Sequence, residues 1–385
     1  MIHQQHYKAL YAAFDLFPTS KGASTHIAHM ARYLFDFYGN GLLYTLGNET
    51  YPDFESEGNT DIIRFSKRIP HYLNRAFEYS HHLEHTLRDH TEIKHIHFRD
   101  IWSGLGIFNS STKAKTLFEV NGLPSIELPY RYPNLTRATL GKIERLEELC
   151  LTRSTHIIAP SGVIQTMLMS RGVSQDKIDI IPNAADANPP FEKQDNLPGS
   201  YILYFGALQN WQGIDTLLKA FAGLKDIPDL KLVICSSNRQ KVSKPYIKLA
   251  DKLGIAENTI WHHQLNKPVL NTWIKNAMLS IAPLRECSRN IQQGCSPLKI
   301  YESMACGTAV IASDLPVSRE ILDDNVTGKL VPPDRPQELS RAIRILIEYP
   351  QVRQKLAQNG LKYIQTVANW DVVKNKLESV YTTKL

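Results

Sequence analysis

Residues 294–314 (GCSPLKIYESMACGTAVIASD) hold the side chains whose types and spacing could do chemistry. Ser296 is of the kind that caps a helix, and Pro297 is favoured at a first helical position. Gly307 stands where a helix end calls for a left-handed residue. A helix over 297–305 would leave the backbone amides of Leu298 and Lys299 as free donors at the positive end of its dipole, which makes an anion site. Lys299 adds a full charge there. Glu302 follows three residues later and shares the face of Lys299. A carboxylate one turn from a phosphate site suits the paired hydroxyls of a ribose, as in dinucleotide folds. The pattern is that of a nucleotide site, although a capped helix with an exposed Lys–Glu pair would read the same way.

Other groupings point to less. His81, His82 and His85 cluster on a helical pattern, but HHLEH is not HExxH, since Leu83 stands where a metalloprotease needs glutamate. A surface helix with titrating histidines is expected there, and no metal is implied anywhere in the chain. His97 and Asp100 stand at the carboxyl end of a strand pattern and are candidate acceptor contacts. Ser161 and Gly162 lack the GxSxG context of a hydrolase. The stretch 64–75 (RFSKRIPHYLNR) carries Arg64, Lys67, Arg68 and Arg75 without an acidic residue. With Tyr72, Phe77 and Tyr79 it could meet a membrane surface or a lipid-linked acceptor, and a solvated helix explains it equally well.

These residues need elements to hold them. In the second half, apolar runs at 201–205, 232–235, 259–262, 279–282 and 309–312 alternate with helical periodicity, as in Ile214, Leu217, Leu218 and Phe221. Short, continuously apolar strands between helices imply a parallel sheet covered on both faces. The first half repeats the theme at 9–14, 42–46, 62–65, 93–98, 116–120, 156–159 and 178–181, with a helix whose face is Ile27, Met30, Ala31 and Leu34. Residues 184–200 (AADANPPFEKQDNLPGS) lack periodicity and read as a linker between two doubly wound domains. In such sheets ligands bind at the carboxyl ends of the strands, so a site in a cleft between two facing domains is expected.

The chain has 385 residues, enough for two domains, and 43% of them are apolar. Residues 1–195 carry 20 Lys and Arg against 22 Asp and Glu, and residues 196–385 carry 24 against 16, so −2 and +8 make the net +6. The basic residues are scattered and form no nucleic-acid motif. No apolar run approaches a membrane span, and the first fifteen residues are too polar for a signal peptide. Five cysteines without CxxC spacing suit free thiols in a reducing cytoplasm.

Residues 297–333 (PLKIYESMACGTAVIASDLPVSREILDDNVTGKLVPP) resemble the donor-site signature of the family-4 glycosyltransferases. APS at 159–161, IIPNAAD at 180–186, YFGALQNWQGIDTLLKAF at 204–221 and FPTSKGASTHIAHMARYL at 17–34 resemble further motifs of that family. The resemblance implies a GT-B fold of two Rossmann-like domains, at 1–187 for the acceptor and 188–368 for the donor, with 369–385 crossing back to the first. It implies a retaining enzyme that uses a nucleoside diphosphate sugar, with no other cofactor. Cytoplasmic work in cell-surface polysaccharide or glycoconjugate synthesis is expected, with contact at the inner face of a membrane left open by the basic-aromatic stretch.

Carried onto this sequence, the resemblance gives Glu302 the ribose and the amides of Leu298 and Lys299 the diphosphate. Gly22 and Ala23 become a loop over the donor phosphates, and the backbone at 263–265 lies near the base. Gly206 and Gln212 lie in the donor loop, beside Ser296 and Arg289. The departures are specific. The family pairs two glutamates with seven residues between them, and here Gly294 replaces the first. Ala207 and Gln212 stand where the family often has Arg and Lys, so Lys299 with Arg285 and Arg289 is expected to neutralise the diphosphate. Asn121 replaces a histidine near the donor sugar. An amide is neither acid nor base, so as a catalytic residue it would act by hydrogen bonding alone. These departures leave two alternatives, a sugar-nucleotide epimerase of the same fold class and a non-catalytic sugar-nucleotide or glycan binding protein.

Overall fold

The computed structural model describes residues 6–19 and 22–385. Two compact units divide the described residues: 6–19, 23–181 and 374–385 form the first, and Gly22 with 182–373 the second.

The first unit holds eight strands: β1 (Ala9–Leu16), β2 (Gly41–Leu46), β3 (Phe54–Glu57), β4 (Thr60–Phe65), β5 (His95–Phe98), β6 (Lys115–Glu119), β7 (His156–Ala159) and β8 (Ile178–Ile180). Their order is β3-β4-β2-β1-β5-β6-β7-β8, and every pairing is parallel except β3 with β4. The order changes direction between β1 and β5, which makes their carboxyl ends a topological switch point. Leu10, Ala12, Leu42, Tyr44, Ile96, Phe98, Phe118 and Ile157 are buried in one core. That burial explains why these strands read as unbroken apolar runs.

β3 is the one strand of this sheet with no apolar signal. Its sequence, FESE, pairs with β4 across Gly58, which turns at φ +61°. An antiparallel edge strand needs only backbone partners, and its charges keep that edge from pairing further. β5 begins at His95 rather than at residue 93.

The second unit holds β9 (Tyr201–Gly206), β10 (Lys231–Ser236), β11 (Thr259–His263), β12 (Leu279–Ala282), β13 (Val310–Ser313) and β14 (Lys329–Val331) in the order β11-β10-β9-β12-β13-β14, all parallel. Its switch point lies between β9 and β12. Residues 186–200 form no regular element, and Ala185 makes a bridge to Asn369. None of the five cysteines takes part in a disulfide. No described helix is long and apolar enough to cross a membrane.

The last helix, Trp370–Lys384, begins among residues of the second unit and ends in the first. There Tyr381 is buried, its hydroxyl 3.1 Å from His97 Nδ1 and its ring near Tyr38 and Phe37. Replacing Tyr381 by alanine should cost about 3–5 kcal/mol, the usual loss for a buried aromatic. Tyr381→Phe, which removes one hydrogen bond, should cost about 1 kcal/mol. Denaturant unfolding measures both, and equal small losses would mean that this helix is not anchored through Tyr381.

Candidate functional site

β9 ends at Gly206, whose φ of +122° a side chain rarely adopts. An added Cβ would sit 3.5 Å from Lys299 Nζ, so the glycine lets the lysine approach the strand end. Lys299 lies in the first turn of the helix Leu298–Ala305 and is only 9% exposed. Its ammonium donates to Gln212 Oε1 and lies 4.1 Å from the centroid of the Tyr204 ring. Tyr204 OH also reaches Gln212 Oε1, at 3.3 Å, and donates to the carbonyl of Ala207 at 2.7 Å. Gln212, standing where the resemblance expects a lysine, is therefore the acceptor that holds Lys299. Next to it, Gly213 is indispensable: at φ +68°, its Cβ would fall 1.8 Å from the Pro283 carbonyl.

Burial pulls the Lys299 pKa down to about 7; Cys295 and Glu302 oppose that shift and Arg289 adds to it. Arg289 packs over the Trp211 ring at 5.1 Å and reaches Asn290 Oδ1 at 3.2 Å. Arg285 is already neutralised. Its nitrogens contact Asp215 at 3.2 Å, Asp334 at 3.3 Å and Asn210 at 2.9 Å. Of the three cations expected to meet a diphosphate, Lys299 and Arg289 stand together and Arg285 is committed to carboxylates.

The helix starts one residue later than its sequence reads. Pro297 takes the cap position at φ −71° and ψ 102°, with no side-chain cap. Ser296 instead accepts a hydrogen bond from the Asn183 amide at 3.4 Å and lies 3.3 Å from the Tyr301 hydroxyl. Asn183 Nδ2 donates to the Ser296 carbonyl at 2.7 Å, so the motif at 180–186 pins the loop that leads into this helix. The amides of Leu298 and Lys299 still have no partner within the helix. Gly307 turns at φ +71°, the left-handed helix end its type calls for.

Glu302 lies one turn beyond Lys299 and is ion-paired with Lys267. Lys267 was not legible as a site residue. It opens the helix Lys267–Asn276 behind the Asn266 cap, and only the fold brings it to Glu302.

The first unit has its own charged centre, at the carboxyl end of β6. Glu119, 3% exposed, accepts from Tyr11 OH at 2.9 Å and from Asn121 Nδ2. His26 Nε2 lies 2.7 Å away, His97 Nε2 3.2 Å and Arg99 Nε 3.9 Å. Burial works to raise the Glu119 carboxyl, but His26, His97 and Arg99 outweigh it and hold it well below the usual carboxylate range. Arg99 also contacts Asp15 and donates to the Ala23 carbonyl, in the first turn of the helix Gly22–Tyr38.

His97 is wholly buried between Glu119 and Tyr381. Asp100 caps the helix Ile101–Asn109: Oδ1 accepts from the Ser103 amide at 2.8 Å and Oδ2 from the Phe14 amide at 2.6 Å. Burial raises its pKa to about 6. Both side chains are thus engaged within the unit. Glu119, His26 and Arg99 were missed as a group, although a glutamate ending an apolar strand and a histidine beside Ile27 were visible signals.

The basic stretch at 64–75 offers less free charge than it reads. Arg64 is buried against Glu55, Lys67 pairs with Glu78, and Tyr79 lies in the core. His82 reaches Tyr44 OH, while His81 and His85 are exposed neighbours. Among the described residues no group of three or more His, Cys, Asp and Glu could hold a metal ion.

Lys299 generates a test with a defined sign. Its folded pKa lies below its unfolded one, so between them the unfolded chain binds more protons and stability rises with pH. Lys299→Met should therefore be the more stable protein at pH 6, by about 1–4 kcal/mol, with the gain shrinking toward pH 9. Urea unfolding across that range measures it. A pH-independent loss would mean that Lys299 is fully charged and well solvated.

Comparison with known proteins agrees with this fold. The family described as "Glycosyl transferases group 1" matches residues 188–363, and "Glycosyltransferase Family 4" matches residues 20–188. Among curated relatives, a D-inositol 3-phosphate glycosyltransferase of Thermomonospora curvata is 29% identical over 47% of this chain and 42% of its own. The lipopolysaccharide core biosynthesis mannosyltransferase LpcC of Rhizobium leguminosarum is 26% identical over 51% of this chain and 56% of its own. The matches thus span about half the length of these relatives. A sucrose-phosphate synthase from Thermosynechococcus elongatus superposes with a TM-score of 0.81 at 19% identity, covering 97% of this chain and 98% of that one. Anabaena HepE in complex with UDP-glucose gives 0.73 at 15% identity, covering 97% and 99%. With two Rossmann-like sheets and a family match on each half, this chain belongs to the family-4 glycosyltransferases and has their GT-B fold.

Proposed function

We propose that this chain moves a sugar from a nucleoside diphosphate sugar to a hydroxyl of a glycan or glycolipid, with retention at the anomeric carbon. The observation that carries the reading is the end of the helix Leu298–Ala305. There, first-turn amides, the buried Lys299 and Glu302 lie within one turn of each other.

In this reading the Leu298 and Lys299 amides and the Lys299 ammonium bind the diphosphate, and Arg289 adds positive charge beside them. As the glycosidic bond breaks, negative charge grows on the departing diphosphate, and donors already aimed at it stabilise that charge without reorganising. Glu302 accepts from the ribose hydroxyls, with Lys267 fixing its carboxylate. The departing phosphate takes the proton of the incoming hydroxyl, so the protein need supply no nucleophile. The names of the relatives, which include enzymes of inositol phosphate and of lipopolysaccharide core biosynthesis, support an acceptor of the glycan or glycolipid class and a place in cell-surface polymer synthesis.

A thermal-shift panel with UDP, GDP and ADP, alone and as sugar conjugates, tests the donor site. A ligand at about a hundred times its dissociation constant adds roughly 2.7 kcal/mol. One nucleotide series should raise the transition by several degrees, and Lys299→Met and Glu302→Ala should each abolish the rise. If no nucleotide moves it, the donor reading fails. Incubating the chain with the stabilising conjugate alone then separates the chemistries: an altered sugar would indicate an epimerase, whereas slow hydrolysis or none fits a transferase.

A further inference from the structure

The Glu119 centre lies where open α/β sheets bind ligands. The carboxyl ends of β1, β5 and β6, at the switch point of the first sheet, carry Asp15, Arg99 and Asn121. Of the groups around Glu119, Tyr11, His26 and His97 are buried, whereas Asn121 is partly exposed just beyond the end of β6.

An ionised carboxylate only accepts hydrogen bonds. With His26, His97 and Arg99 around it, Glu119 keeps its charge, so the amide of Asn121 must turn its NH2 toward that oxygen, and Nδ2 does donate to Glu119 Oε1. The other end of the amide, Oδ1, makes no hydrogen bond among the described residues. Asn and Gln amides can sit either way round, and the two orientations have opposite chemistry. Nitrogen outward, Asn121 would donate to a carbonyl or a phosphate. Oxygen outward, it accepts from a hydroxyl.

We propose that Glu119 is a positioning residue that fixes the orientation of the Asn121 amide, so that Oδ1 is presented to a hydroxyl of the sugar-bearing substrate. The proposal rests on the reading of the chain as a sugar-transferring enzyme and names what one face of its site recognises: a polyol, through its hydroxyl hydrogens. Through His26, and through Arg99 on the Ala23 carbonyl, the same carboxylate also holds the first turn of the helix Gly22–Tyr38. Amide and helix start are therefore set by one buried charge.

The test uses the full chain with Asn121→Asp and Asn121→Ala. A second carboxyl beside Glu119 cannot readily ionise, so the new aspartic acid keeps a proton on the oxygen facing Glu119 and turns its carbonyl oxygen outward, as the amide does. Asn121→Asp should thus match the parent protein in urea stability below about pH 4 and fall progressively below it as the pH rises, until the folded aspartic acid ionises. Its turnover of UDP-glucose, or of the conjugate that gave the largest thermal shift, should fall at the higher pH where that stability loss levels off and the folded aspartic acid ionises, a limb the parent lacks. Asn121→Ala should lose about tenfold in kcat/KM, the worth of one hydrogen bond, at every pH.

If Asn121→Asp equals the parent in stability throughout pH 4 to 8, Glu119 does not hold the amide and the proposal is overturned, whatever the enzyme does. If Asn121→Ala keeps the parental kcat/KM, Oδ1 does not meet the substrate, and the proposal is overturned on that ground. A parent protein that turns over no nucleotide sugar would refute the reading of function, while the stability arm still decides the orientation. Glu119→Gln adds an independent check where it folds: its amide can donate or accept, so kcat should fall while nucleotide affinity stays unchanged. An unchanged kcat in a folded Glu119→Gln protein would overturn the proposal.

Discussion

A charge taken out of water must be met by other charges or by hydrogen bonds, and the candidate site of each unit is built around one such charge. In the first unit it is Glu119, which draws residues from β1, β5, β6 and the first helix, and the last helix through His97 and Tyr381. In the second it is Lys299, held by Gln212 and Tyr204 beneath the start of its helix. Both lie at the carboxyl edge of a parallel sheet, where strands end and loops begin. Inside the apolar layers neither charge could be satisfied. In open solvent neither would hold its neighbours in place.

What the sequence made legible follows from the same division. Strands buried on both faces must be apolar throughout, so β9, β10, β12 and β7 stand out as runs with nearly their observed bounds. The helix proposed to bind the diphosphate was visible because its signals are local: a proline, a glycine and a lysine within a dozen residues. Its exact start was not, because Ser296 could cap or could bond outward, and the Asn183 backbone, 113 positions away, decided the matter. β3 was illegible for the opposite reason, since an edge hairpin is specified by backbone pairing and leaves little trace in hydropathy.

The charged centres were the least legible part. Tyr11, His26, His97, Arg99, Glu119 and Tyr381 are spread over nearly the whole chain and share no spacing. Apart from His97, which reads as a candidate acceptor contact, each alone reads as a core residue or a surface charge. Only the sheet order, which puts β1, β5 and β6 side by side, brings them together. The resemblance to a known family pointed to Asn121 and was silent on Glu119, which gives that amide its direction.

The departures from the family pattern at Ala207 and Gln212 look at first like a loss of two cations from a dianion site. The geometry changes that arithmetic. Two unit charges 4 Å apart attract by about 1 kcal/mol in water and about 4 kcal/mol at the effective dielectric near a protein surface. One ammonium that is 91% shielded can therefore do for a diphosphate what several solvated cations do, provided that something holds it in place. Gln212 supplies that hold without adding a competing charge. A lysine at position 212 would face Lys299 across the same gap and repel it. On this argument Gln212 and the burial of Lys299 go together: under the proposed donor reading, the site has no cations at 207 and 212 and places the work on one buried lysine at a helix start.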